Sequence, residues 1–164
     1  MPPDGTNTGL YERDFYAWTM QQAEAIRAAR AARLANSDDL DWDNLAEEIE
    51  ALGRNNRREL LSRMTTVIEH LLKLEHSPSA EPRAGWVETV ARSRIEIALL
   101  LDDSPSLRTA IPELLPRASV SALRIVSGAF ESYGETGAVG VVRRRETIYT
   151  ADQILDDWWP ETAS

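Results

Sequence analysis

The chain of 164 residues contains no cysteine and only two histidines. The absence of cysteine excludes a disulfide framework, a thiolate nucleophile and any metal site with cysteine ligands. No apolar run approaches the ~18 residues that a membrane-spanning helix needs, and the first nine residues have neither the basic nor the apolar segment of a signal peptide. The sequence therefore predicts a soluble cytoplasmic protein that makes no contact with a membrane.

Positive charge is also in short supply, with 18 Lys and Arg residues against 27 Asp and Glu residues and a net charge of −9. An acidic surface repels phosphate backbones, so nucleic-acid binding is not expected. The chain has no P-loop, no Gly-x-Gly-x-x-Gly and no Gly-x-Ser-x-Gly motif. The glycine-rich segment 134–140 follows a helical pattern rather than a strand and is interpreted as a loop. No cofactor is predicted.

Apolar residues recur at helical spacing over most of the chain. Residues 10–35 form the first such segment, and residues 42–77 form a second one, with Asp41 as its N-cap and Pro78 after its end. One helix over 42–77, which we call the spine helix, is about 50 Å long at 1.5 Å per residue. Its second half carries an apolar arc of about 160°, which consists of Leu60, Leu61, Met64, Val67, Ile68, Leu71, Leu72 and Leu74.

Three further helices are predicted, over 84–101, 112–133 and 151–159. The first of them has Trp86, Val87, Val90, Ile97 and Leu101 facing inward. The second has a buried stripe of Leu115, Ala118, Ala122, Ile125, Ala129 and Tyr133. The third begins with a capping box in which Thr150 is the N-cap and Gln153 is the third helical residue. Residues 139–148 are the only stretch that favours a strand, and three arginines interrupt it.

These patterns predict an all-α protein, a single-domain helical bundle of four to six helices with one long spine helix. Residues 10–160 are the predicted domain. Residues 1–9, rich in Pro, Gly, Asn and Thr, are a predicted flexible N-terminal tail. Residues 161–164 are the predicted C-terminal tail.

Several segments resemble one protein family. They are Leu10-Tyr11-Glu12-Arg13-Asp14-Phe15-Tyr16-Ala17-Trp18, Asn44-Leu45-Ala46-Glu47-Glu48-Ile49-Glu50-Ala51-Leu52-Gly53, His70-Leu71-Leu72-Lys73, Ser104-Pro105-Ser106-Leu107 and Tyr149-Thr150-Ala151-Asp152-Gln153-Ile154-Leu155-Asp156. In this order they resemble the DUF29 family of bacterial proteins over about residues 10–160. The resemblance implies a compact α-helical bundle that self-associates and has no known substrate.

Arg63 and His70 lie seven residues apart on the spine helix, only ~20° out of line. This Arg-x6-His spacing resembles the motif of the HEPN-type helical ribonucleases. In such an enzyme the histidine acts as acid or base and the arginine holds the scissile phosphate. The alternative interpretation is a structural histidine at the edge of the core. A metal-independent endoribonuclease that uses Arg63 and His70 is therefore the alternative function, and no catalytic residue is assigned.

Glu47, Glu48 and Glu50 are weak candidates for metal ligands, since Glu and His sets on facing helices form di-metal sites in bundles. Such sites use Glu-x-x-His pairs, and the chain contains none. The alternative is that Glu47 and Glu48 compensate the helix dipole in the first turns. No metal is therefore predicted.

Self-association as a symmetric homodimer is the predicted assembly. The length of the spine helix, the width of its apolar arc and the adjacent pair Trp158-Trp159 all favour surface that another segment or another chain covers. Because the strongest features are apolar helix faces and caps, the favoured function is a protein–protein interaction module rather than an enzyme, with an unknown protein partner as a further possibility.

Overall fold

The structure is a computed structural model that describes residues 6–32, 40–145 and 148–161. The described residues form seven α-helices and no strand, so the all-α prediction with one long helix is confirmed. The helices are α1 (Thr6–Arg13), α2 (Phe15–Ala31), α3 (Trp42–His76), α4 (Arg83–Asp103), α5 (Ile111–Ser132), α6 (Thr136–Arg143) and α7 (Ala151–Leu155), with a 3₁₀ helix over Pro105–Ala110. None of the described helices is long and apolar enough to cross a membrane.

The chain divides into two compact units. The first unit contains the described residues up to position 59 together with 100–109, and the second contains 60–99 and the described residues from 110 onwards. The helices α3 and α4 therefore contribute residues to both units. A single domain over residues 10–160 stays a prediction.

The N-terminal segment differs from the prediction in two ways. Helix α1 begins at Thr6, so residues 6–9 are helical rather than part of a tail, and the Nε of Arg13 donates to the carbonyl of Gly9 across the last turn. The predicted helix over 10–35 is divided at Asp14, whose carboxylate caps α2 by accepting from the backbone N–H of Ala17. Residues 1–5, 33–39 and 162–164, and with them most of both predicted tails, lie outside the described residues.

Asp14 also connects the start of α2 to the 3₁₀ helix. Its Oδ2 accepts from the backbone N–H of Ser106 at 2.7 Å and its Oδ1 accepts from the Ser106 hydroxyl at 2.9 Å. The neighbouring Ser104 hydroxyl accepts from the backbone N–H of Tyr16 at 3.1 Å. Two of the segments that carry the family resemblance are therefore hydrogen-bonded to each other.

Gly53 marks a close approach between α2 and α3 within the first unit. A Cβ atom at this position would lie 2.4 Å from the hydroxyl of Thr19 and 2.6 Å from the methyl group of Met20. Real atoms do not come this close, so only glycine fits between these helices without a shift.

The apolar arc of α3 is buried within the second unit. All of its residues are at most 5% exposed except Leu61, which is half-buried. The buried face of α5 is displaced from the predicted stripe and consists of Ile111, Leu114, Ala118, Ala122, Val126, Ser127 and Phe130. The two stripes share Ala118 and Ala122, but the core takes Phe130 while Tyr133, at the end of the helix, is 75% exposed.

Residues 136–143, which belong to the predicted loop over 134–140 and to the strand-favouring stretch over 139–148, form the helix α6 instead. Gly134 has φ 74°, a left-handed conformation that suits glycine and ends α5. Val139 and Val142 then lie three residues apart on one face of α6 and are both buried. Their burial outweighs the strand preference of valine.

Candidate functional site

His70 and Arg63 both have partners on described helices. The Nδ1 of His70 donates to the carbonyl of Thr66, one turn earlier in α3, at 2.9 Å. The Nη1 of Arg63 lies 2.6 Å from the Oε2 of Glu96 on α4. Seven residues separate the pair by about 10 Å along the helix axis. This arrangement supports the interpretation of His70 as a structural histidine and gives no support to an endoribonuclease.

Glu50 is the only half-buried residue of the three carboxylates that were candidate metal ligands, and it is paired with cations. Its Oε2 lies 2.5 Å from the Nη2 of Arg27, and its Oε1 lies 3.1 Å from the Nη1 of Arg54. Hydrogen bonding from Arg27, opposed by burial, holds the pKa of Glu50 below its ordinary value. Glu47 and Glu48 are exposed. Among the described residues, no group of three His, Asp or Glu side chains is placed to hold a metal ion.

A cluster of four polar side chains lies where α3 ends. The Oε2 of Glu75 accepts from Arg145 at 2.7 Å and from the Tyr149 hydroxyl at 2.6 Å, and Arg145 lies 2.9 Å from the Nε2 of His76. Arg145, one of the three arginines that interrupt the strand-favouring stretch 139–148, is thus a partner of the spine helix.

The electrostatics of this cluster follow from burial and from its hydrogen bonds. Burial opposes the charge on Glu75, but the bonds from Arg145 and Tyr149 outweigh it and keep the pKa of Glu75 below 4.5. Burial lowers the pKa of His76 below 6.5, and burial together with the bond to Glu75 raises the pKa of Tyr149. At neutral pH the cluster is therefore a charged Glu75–Arg145 pair beside a neutral imidazole and a protonated phenol. This arrangement suits a structural role, in which Arg145 and Tyr149 are held against the end of α3.

Arg94 fixes the C-terminal segment to α4. Its guanidinium donates to the carbonyls of Ile154 at 3.0 Å, Gln153 at 2.8 Å and Trp158 at 2.6 Å. It also lies over the ring of Trp159, 4.9 Å from the centroid. The ring of Trp158 packs on Tyr149 with centroids 5.5 Å apart. Both adjacent tryptophans therefore have partners in their own chain.

A cavity of about 460 Å³ lies in the second unit, between the end of α3, the start of α4 and the end of α5. Trp86, Phe130 and Tyr133 supply its aromatic wall, and Glu135 supplies a carboxylate. The Oε1 of Glu135 accepts from the hydroxyls of Ser77 at 3.1 Å and Ser79 at 2.9 Å. Its Oε2 is buried and has no hydrogen-bond partner among the described residues.

Helix α4 is apolar on two faces. Val90 and Ile97 are buried in the second unit, as predicted. Val87, expected inward, is 42% exposed, and with Ala91, Ile95 and Leu99 it forms an exposed row that we call the α4 ridge. Val87 was predicted on the wrong face because a helix with apolar residues on both sides does not show by its periodicity which side is buried.

The roles of Glu135, Arg94 and the α4 ridge were not predicted from the sequence. The four-residue spacing of the ridge is visible in the sequence and could have revealed it. Glu135 and Arg94 carry no such signal, because their partners lie 56 to 64 residues away along the chain.

Comparison with known proteins agrees with the resemblance found in the sequence. The model of a family described as "Domain of unknown function DUF29" matches residues 10–159. The crystal structure of an α-helical protein of unknown function from Rhodospirillum rubrum is 28% identical, with a TM-score of 0.69, over 90% of this chain and 89% of that chain. A comparison with curated proteins finds no match. Neither the description of the family nor that of the similar crystal structure states an activity.

Proposed function

The chain belongs to the DUF29 family, whose description names no activity, and from the surface of its second unit we propose that it is a protein–protein interaction module that works as a symmetric homodimer. The observation that carries this proposal is the α4 ridge. Its larger members are well exposed, at 42% for Val87, 62% for Ile95 and 59% for Leu99. Contiguous exposed apolar surface of this kind is typical of interaction sites.

The spacing of the ridge suits a second helix. Residues four apart form the ridges that fit into the grooves of a neighbouring helix in the commonest class of helix packing. Ala91 is the small residue in the middle, where two helix backbones approach most closely. Because the opposite face of α4 is already buried, a partner has to come from outside the second unit.

Charge and symmetry favour a second copy as that partner. When two α4 helices cross antiparallel about a two-fold axis at Ala91, Val87 faces the partner's Ile95. Glu88 and Arg92 lie on one flank of the ridge, where they pair within the helix and are about 70% exposed. The same axis brings Glu88 of each subunit close to the partner's Arg92, so this flank of the interface is electrostatically complementary. Two-fold dimers are also the commonest closed assembly.

Two of the sequence features that favoured a dimer are satisfied within the chain, and the evidence for a dimer now comes from the α4 ridge instead. The apolar arc of α3 is covered within its own chain, and Trp158 and Trp159 pack on Tyr149 and Arg94. Neither feature supports the dimer, so the proposal depends on α4.

We also propose that the protein acts in the bacterial cytoplasm. The chain has no cysteine and carries a net charge of −9, which suits a reducing and crowded compartment. The similar solved structure comes from the bacterium Rhodospirillum rubrum.

Light scattering on wild type and on Ile95→Glu tests the dimer. The wild-type mass is expected near twice 18.4 kDa, and Ile95→Glu is expected near the single-chain mass because it buries a carboxylate in an apolar interface. Val120→Glu is the matched control, since Val120 is 59% exposed on α5, between Ser119 and Ser121. A single-chain mass for wild type, or equal weakening by both substitutions, contradicts the proposal.

A further inference from the structure

The cavity beside Glu135 is a separate feature from the α4 ridge, and its wall has the composition of a ligand site. Its volume of about 460 Å³ lies within the range of small-molecule sites, which are mostly apolar with a few placed polar groups. We propose that this cavity binds a small organic ammonium ion, with the ammonium group at Glu135 and the apolar body among the aromatic rings.

Among the described residues, only one of the two carboxylate oxygens of Glu135 has hydrogen-bond donors. The hydroxyls of Ser77 and Ser79 both donate to Oε1, which fixes the orientation of the carboxylate. Oε2 has lost its contact with water and gains no donor from the described residues. A buried charged oxygen in this state is unfavourable. Glu135 borders the cavity, and the donors that the described residues give its carboxylate are two neutral hydroxyls. An ammonium group in that cavity therefore meets a carboxylate that these neutral donors do not neutralise.

The cationic side chains near this wall are engaged elsewhere. The Nζ of Lys73 lies 2.6 Å from the Oε1 of Glu69. The guanidinium of Arg83 donates to the carbonyls of Leu74 at 2.8 Å and Ser77 at 2.9 Å. Glu81 adds a second carboxylate to the lining. Lys73, which lines the cavity, is thus paired with a carboxylate, and the two carboxylates of the lining favour a cationic ligand over an anionic one.

The aromatic wall determines which cation fits. The rings of Trp86 and Tyr133 offer apolar carbon to a ligand and attract positive charge through their faces, whereas Phe130, which also lines the cavity, is almost fully buried. A bare metal ion needs several oxygen ligands around one point, and no group of three His, Asp or Glu side chains among the described residues is placed to hold one. An amine with an aromatic or aliphatic body meets both the charge and the apolar surface.

Phenethylamine is a suitable probe, and 2-phenylethanol is its neutral analogue. We expect calorimetric titration of the full-length protein to show saturable binding of the amine at one site per chain, and no binding of the alcohol. In the amide and indole NMR spectrum, the largest shifts are expected at the Trp86 indole and at residues 77–82 and 135. Glu135→Gln is expected to weaken binding of the amine about 10- to 100-fold through the loss of a charge-assisted hydrogen bond.

Glu131→Gln is the matched control, because Glu131 lies four residues away, is exposed and pairs with Arg143 outside this cavity. It removes the same charge and is expected to leave the affinity unchanged. The comparison of amine with alcohol on wild type needs no variant and stays valid if Glu135→Gln fails to fold. Equal binding of amine and alcohol, equal effects of the two substitutions, or the absence of saturable shifts at Trp86 each overturns the proposal.

Discussion

Asp14 in the first unit and Arg94 in the second are buried charges of opposite sign that are stabilised in the same way. Asp14 is 9% exposed and Arg94 is 8% exposed. Asp14 accepts from two backbone N–H groups and one hydroxyl. Arg94 donates to three backbone carbonyls. In both cases the hydrogen-bond partners are neutral groups.

The difference between the two lies in which end of a helix each one meets. Asp14 is at the start of α2 and reaches the start of the 3₁₀ helix, where N–H groups lack partners. Arg94 reaches the end of α7, where carbonyl groups lack partners. Helix ends carry partial charges of the sign that each residue needs. A short helix can therefore be held in place by one buried charge that satisfies the unpaired backbone groups at its end.

The largest loss of stability is expected for Arg94→Met. The substitution keeps much of the apolar stem but leaves three carbonyls without their donor, which costs about 3–4 kcal/mol of unfolding free energy. Chemical denaturation measures this loss. Arg117→Met is the control, and because Arg117 is exposed on α5 its effect is expected to stay within about 0.5 kcal/mol. Equal losses for the two variants contradict the role assigned to Arg94.

A smaller loss, about 2–3 kcal/mol, is expected for Asp14→Ala, which leaves the N–H groups of Ala17 and Ser106 without an acceptor. Denaturation followed by circular dichroism gives the value, with the exposed Glu12→Ala as control. A loss for Asp14→Ala no greater than for Glu12→Ala would show that backbone donors at this junction find water instead, and the parallel with Arg94 would fail.

The smallest effect concerns Glu75, a carboxylate that does have a cationic partner. Glu75→Gln is expected to cost about 1 kcal/mol at pH 7. The folded-state pKa of Glu75 is lowered, so its contribution is present above the unfolded value near 4.5 and is lost as the pH falls through the lower folded value. Unfolding free energies measured from pH 7 down to about pH 3 should therefore fall more steeply below pH 4.5 for wild type than for Glu75→Gln. Parallel curves would contradict this assignment.

The helices were predictable where one apolar stripe and its caps agree. Helix α3 covers the predicted range 42–77 to within one residue, Asp41 accepts from the N–H of Asn44, and the capping box of Thr150 and Gln153 is present. These signals are local, because a cap and its donors lie within three residues of each other.

What the sequence could not predict depends on distant partners. The break at Asp14 needs Ser106, 92 residues later in the chain, and α6 forms because the fold buries Val139 and Val142. The cavity at Glu135 is assembled from three helices and two loops, and no spacing in one segment reveals such a site. For Arg63 and His70 the spacing in the sequence suggested a joint site, but in the structure Arg63 pairs with Glu96 and His70 bonds to the carbonyl of Thr66.

The position of the last two tryptophans gives the molecule an internal optical reporter. Trp158 touches Tyr149, and Trp159 lies beneath the guanidinium of Arg94, whereas Trp18 and Trp42 belong to the other unit. Release of the C-terminal segment from α4 transfers both indoles to water and shifts their emission to longer wavelength while the first unit stays folded. Local opening of this one segment is thus visible in intrinsic fluorescence without any attached dye.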